Sequence, residues 1–184
     1  MNKISNDISA DNPLYNPQTI DFVRTALAYC SLVESVTTDD AAAFVDKTTK
    51  LLPMLYLKAA LLPSIDSEED EEYVELCITE DMYEAVRTRI AEALGESDAY
   101  LETFHPDMPL SDTPVAVFIS EDLADVYQDA GTLCALFREG NEAVMRSAVA
   151  LCKDNFEQYW GQKLLNSLRA LHALRYATDE AETE

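Results

Sequence analysis

From Pro17 onward, apolar residues recur at helical spacing. With each residue turned by about 100°, Phe22, Tyr29 and Val36 line up, and Ile20, Val23, Ala26, Leu27, Cys30 and Val33 fill an arc of roughly 200° beside them. Such a wide face predicts a helix that touches several neighbours. Asn16 offers an N-cap side chain, and Pro17 stands at the first helical position, where its missing N–H costs nothing. Thr38, Asp39 and Asp40 announce a second helix with the apolar face Ala41, Phe44, Val45, Leu51, Leu52, Leu55, Tyr56, Ala59 and Leu62. The apolar phase runs through Pro53, which falls on the solvent side, so the pattern predicts a Pro-kinked helix or two stacked segments. Thr79 caps a third helix carrying Met82, Val86, Ile90 and Leu94, stopped by Gly95.

A fourth helix opens at Ser120, with Glu121 and Asp122 near the positive end of its dipole. Leu123, Val126, Tyr127, Ala130, Leu133, Cys134 and Phe137 form its stripe, and Gly140 closes it. Asn141 caps a long C-terminal helical region running from Val144 to Leu174, which Gly161 bends or splits. Residues 1–16 read as a flexible arm, 64–72 as an acidic loop, 96–114 as a Pro-rich loop and 178–184 as an acidic disordered tail. Tyr73 to Ile78 fits a short extended piece, and Tyr100, Leu101, Phe104 and Met108 are expected to pack back on the core. The β-branched run Val115 to Ile119 stands too isolated to predict a sheet. The expected fold is an all-α, single-domain bundle of about five to seven helices spanning residues 17–177.

Composition narrows the chemistry. The 184 residues are 48% hydrophobic, enough for a core, yet only four are glycine. Gly-rich phosphate and dinucleotide loops, which need glycine for close backbone approach, are absent from the sequence. With 35 acidic against 13 basic side chains, the formal charge of -22 disfavours nucleic acid and anionic membrane surfaces and favours a basic protein partner. No run of 18 apolar residues occurs, and the polar stretch from Met1 to Asn16 lacks a signal-peptide core, so a soluble cytoplasmic protein is expected. Cys30, Cys77, Cys134 and Cys152 lie far apart with no CxxC pair, so neither a structural zinc nor any other cofactor is expected.

Two stretches carry a resemblance: Leu51-Leu52-Pro53-Met54-Leu55-Tyr56 running on to Leu62-Pro63, and Ser120-Glu121-Asp122-Leu123-Ala124-Asp125-Val126-Tyr127-Gln128-Asp129. With Trp160-Gly161 and the segment from Leu168 to His172, they resemble an uncharacterised, mostly helical bacterial family classed as a domain of unknown function. The resemblance implies the fold and a bacterial cytoplasmic setting, and no site residue.

Glu102-Thr103-Phe104-His105 has the Glu-x-x-His spacing of bundle di-iron sites, but such sites use two copies and Pro106 opposes a helix there. His172 and Arg175 share an apolar arc with Leu164, Leu165 and Leu168, so Arg175 is expected to meet a carboxylate of the fourth helix, Asp122 or Asp129. Cys30, Cys134 and Cys152 fall on apolar stripes and read as small hydrophobes. Trp160 serves as core filler or as an anchor for a partner or ligand. Two functions follow. The first is a non-enzymatic acidic module that binds proteins or acts as a scaffold. The second is a small-molecule site or enzyme with a pocket lined by Tyr127, Trp160, His172 and Arg175.

Overall fold

Local capping decides most of the element boundaries in the computed structural model, which describes residues 12–65, 73–102 and 115–177. Helix α1 (Pro17–Glu34) begins where Asn16 Oδ1 accepts the Thr19 N–H at 2.8 Å, with Pro17 in the first turn. A 3₁₀ turn at Thr38–Asp40 leads into α2 (Ala41–Ala60), one continuous helix through Pro53. Pro53 is exposed, so its ring meets solvent, and the option of two stacked segments is set aside. Helix α3 (Glu80–Leu94) starts at Thr79, whose hydroxyl accepts the Met82 N–H at 3.3 Å. It stops at Gly95, where φ is +56°, a value that favours glycine.

The expectation of no sheet is corrected at one point. Strand β1 (Ala99–Glu102) pairs antiparallel with β2 (Val115–Phe118), Ala99 opposite Phe118 and Glu102 opposite Val115. Two four-residue strands far apart in sequence satisfy each other's backbone groups, a pairing that no local periodicity announces. Tyr100 packs on the core as expected, whereas Leu101 is exposed. Helix α4 (Ile119–Glu139) follows β2 directly. Its first turn is capped from outside: the Ser120 N–H and hydroxyl both donate to the buried carboxylate of Asp98, at 2.8 and 2.6 Å. Helix α5 (Glu142–Asn155) passes through a π-helical turn (Phe156–Trp160) into α6 (Gly161–Arg175), the bend expected near Gly161.

Helix α4 is the central element, packed against α1, α3, α5 and α6, while α2 bridges α1 and α6. Trp160 is fully buried with its ring 4.8 Å from that of Phe156 and 6.5 Å from that of Phe22, and its indole N–H donates to the Cys152 carbonyl at 3.2 Å. Tyr29, also fully buried, donates its hydroxyl to the Leu123 carbonyl at 2.6 Å, tying α1 to α4. Of the expected arm, residues 1–11 lie outside the described residues. Residues 12–16 are anchored by fully buried Leu14 and by Tyr15, whose hydroxyl donates to Glu142 at 2.9 Å. The acidic run 66–72, most of the Pro-rich loop (103–114) and the tail (178–184) also lie outside the described residues. Among the described residues the fold is an all-α bundle carrying one small hairpin, and no helix there is long and apolar enough to cross a membrane.

Candidate functional site

The ion pair expected between α6 and α4 exists, but a different cation makes it. Lys163 Nζ lies 2.7 Å from Asp125 and 3.3 Å from Asp122. Arg175 instead pairs with Asp46 of α2 and donates to the Thr49 hydroxyl at 3.1 Å, which corrects the expected partners Asp122 and Asp129. Length explains the exchange. Arg175 stands twelve residues beyond Lys163, roughly 18 Å further along α6 at about 1.5 Å per residue, where α2 has replaced α4 as the neighbour. Asp129 accepts from the Asn155 amide at 2.6 Å.

The four residues expected to line one pocket are dispersed. Tyr127 donates its hydroxyl to Glu34 at 2.7 Å, Trp160 fills the core, and His172 is exposed with its ring 4.7 Å from that of Tyr176. Arg175 stands on the wall of a separate pocket of about 280 Å³ between α2, α3 and α6, without His172. Glu102 accepts from the Asn166 amide at 2.8 Å, and His105 lies outside the described residues. Among the described residues no three His, Cys, Asp or Glu side chains are grouped to hold a metal.

Around Lys163 the structure assembles a polar cluster of which the sequence named one member, Asp122. Asp122 and Asp125 stand three residues apart on one face of α4. Asp122 accepts from the Tyr100 hydroxyl on β1, and Asp125 accepts from Tyr83 on α3 at 2.9 Å and from Tyr159 at 2.8 Å. Lys163 also sits over the Tyr159 ring, 5.1 Å from its centre. Burial pushes the Asp122 carboxyl up to about 6, against the opposing pull of the Tyr100 hydrogen bond and the Lys163 charge. Burial and the neighbouring carboxylates raise the phenols of Tyr83 and Tyr100. These groups satisfy one another, so the cluster clamps the hairpin, α3 and α6 onto α4. The legible signal was the Asp-x-x-Asp spacing, which faces two carboxylates the same way and calls for a cation.

A different region stays open. Between α1 and α4 runs a groove of about 630 Å³, lined by Val23, Leu27, Ile78, Met82 and Phe137, with Leu27 52% and Met82 41% exposed. At its floor Gly131 makes room for Ile78, since a Cβ there would lie 2.8 Å from Ile78 Cδ1. Cys30 and Cys134 also line it; contact with the Cys134 thiol and burial push the Cys30 thiol up, so it stays protonated and serves as apolar wall. Glu34 and Arg138 stand on the walls. Among the described residues Glu34 is the acid of this lining and Arg138 the base; Glu80 and Asp81 precede Met82 in the first turn of α3, and burial raises the nearby Cys77 thiol, with Glu139 and Glu75 adding to the rise and Arg138 opposing it. The sequence placed Val23 and Leu27, Met82, and Phe137 on separate stripes and Ile78 in an extended piece, but which stripe would lack a partner depends on how the helices splay.

The family model for DUF5063, a domain of unknown function, matches residues 13–177. The chain belongs to the DUF5063 family. It is also similar to the crystal structure of protein BF1032 from Bacteroides fragilis, a structural-genomics target, with 38% sequence identity and a TM-score of 0.79 over 90% of this chain and 100% of that one. No curated protein matches the chain. The DUF5063 match spans every described helix and both walls of the groove.

Proposed function

We propose that the protein is a non-enzymatic docking module whose α1–α4 groove receives an amphipathic, basic helical segment of a partner protein. The open apolar groove, with Leu27 and Met82 half exposed in it, carries this proposal. A helix laid into such a groove buries its apolar stripe against Leu27, Met82 and Phe137 and presents its charged flank to the rim. Full burial of a leucine or methionine side chain stabilises by roughly 1.5–3 kcal/mol, so these contacts supply affinity. The formal charge of -22, with Glu34 on the groove wall, favours cationic partners and fast association at low ionic strength. The proposed setting is the bacterial cytoplasm, supported by the B. fragilis relative and by four free cysteines, which suit a reducing compartment.

Selection from a displayed library of helical peptides tests this. The expected ligands are basic and amphipathic, they are lost on Leu27→Glu, and they are released by moderate salt. Enrichment of acidic or extended ligands, or ligands held equally by the Leu27→Glu protein, would count against the groove.

A further inference from the structure

The second helix is apolar on both of its sides. Leu52, Leu55 and Ala59 are fully buried on the inner face. On the outer face Met54, Leu57 and Leu61 are 53%, 55% and 50% exposed. These three fall within an arc of about 60° at spacings of three and four, with exposed Pro53 and Ala60 beside them. A surface helix ordinarily turns charged residues outward, so a continuous apolar stripe there calls for a cover.

Charge indicates what the cover is. Residues 47–61 contain Lys47, Lys50 and Lys58 and no acid, in a chain with 35 acidic side chains. Lys50 is bound to Asp46 at 2.6 Å and Lys58 to Asp21 at 2.8 Å, which leaves the surface around Leu57 close to neutral. Two copies of a chain with formal charge -22 repel each other, and a stretch with no acid of its own adds least to that repulsion.

We propose that the outer face of α2 is a self-association surface that pairs two copies of this chain antiparallel across a twofold axis near Leu57. In that arrangement Leu57 packs beside Leu57 of the second copy, and Met54 meets Leu61 of the second copy, so the same stripe is satisfied on both sides. Three half-exposed side chains cover well under the roughly 800 Å² per partner of a standard interface, so the dimer is weak and forms only at high protein concentration. Its salt response has the opposite sign to that of groove docking. Screening removes the repulsion between two acidic bodies and strengthens pairing, whereas it weakens attraction of a basic segment.

Sedimentation equilibrium of the full chain from low micromolar to several hundred micromolar tests the proposal, at about 50 mM and about 500 mM salt, on either side of the 0.1 M condition where the Debye length is ~10 Å. The expected result is a monomer–dimer equilibrium whose association constant rises at least threefold at the higher salt. It should be abolished by Leu57→Glu, which keeps the helical circular dichroism of the native chain, and unchanged by Leu27→Glu in the groove. A monomer throughout, a salt response of the opposite sign, or dimers that survive Leu57→Glu would overturn it. Each of these results leaves groove docking untouched, because that is read by peptide binding to the monomer.

Discussion

Lys163 on α6 stands 2.7 Å from Asp125 and 3.3 Å from Asp122 on α4, so one cation holds two carboxylates. The side chains of Asp122 and Asp125 are only 7% and 13% exposed, and removing their shared partner leaves both with unbalanced charge in a poorly solvated site. Lys163→Met is expected to lower unfolding free energy by about 1–3 kcal/mol. Arg175→Met should cost less, because its partner Asp46 is 41% exposed and keeps Lys50 at 2.6 Å. Urea denaturation of the two variants measures the difference, and equal losses would contradict this ranking.

Asp122 should also leave a mark on the pH dependence of stability. Burial lifts its carboxyl to about 6, above the ~3.9 of an unfolded aspartate. The folded state therefore binds this proton more tightly, and the resulting stabilisation is full below about pH 4 and lost as pH rises through about 6. Asp21 and Asp46 act with the opposite sign: hydrogen bonds from Lys58 and Lys50 hold them low, so their contribution is present above the unfolded value and lost as pH falls. Between about pH 4 and 6.5, wild type should lose stability relative to Asp122→Asn as pH rises. A carbon-detected NMR titration of Asp122 should show a midpoint near 6. A midpoint at or below about 4 would remove the basis for this expectation.

Gly161 closes the π-helical turn for a steric reason. A Cβ there would sit 2.5 Å from the Phe156 carbonyl oxygen and 2.9 Å from its ring. Backbone and a packed aromatic cannot both retreat, so Gly161→Ala is expected to destabilise by about 1–3 kcal/mol. Gly131→Ala meets side-chain atoms alone, Ile78 Cδ1 at 2.8 Å and Cγ1 at 3.0 Å, with no backbone in the way, and should cost less. Thermal unfolding of the two variants compares them, and a Gly161→Ala protein as stable as wild type would contradict the close approach.

Local chemistry was legible where it acts locally. Asn16, Thr79 and Asn141 cap the helices that their positions announced, and Gly95 and Gly140 end α3 and α4 with positive φ. The resemblance carried by Leu51 to Pro63 and by Ser120 to Asp129 agrees with the family match. Features made by distant residues escaped. Asp98 caps α4 across 22 positions of sequence, and β1 finds β2 by backbone pairing alone. Helical periodicity placed Arg175 on an inward arc but could not say which helix would face it, so the acids of α4 were assigned the wrong cation. The groove was hidden for the same reason: Leu27 and Met82 read as core stripes, and only the spacing of α1, α3 and α4 leaves them half exposed.

Groove docking is tested most directly by fluorescence anisotropy of a labelled, basic amphipathic helical peptide titrated with the native chain. The titration is run at low protein concentration and at two salt levels. Saturable binding is expected, weakened at least tenfold between about 50 and about 500 mM salt and abolished by Leu27→Glu. An acidic peptide with the same apolar stripe should not bind, because the chain carries a formal charge of -22 and Glu34 lines the groove. Equal binding of both peptides, or full binding by the Leu27→Glu protein, would contradict the proposal that the groove between α1 and α4 is the working surface of this protein.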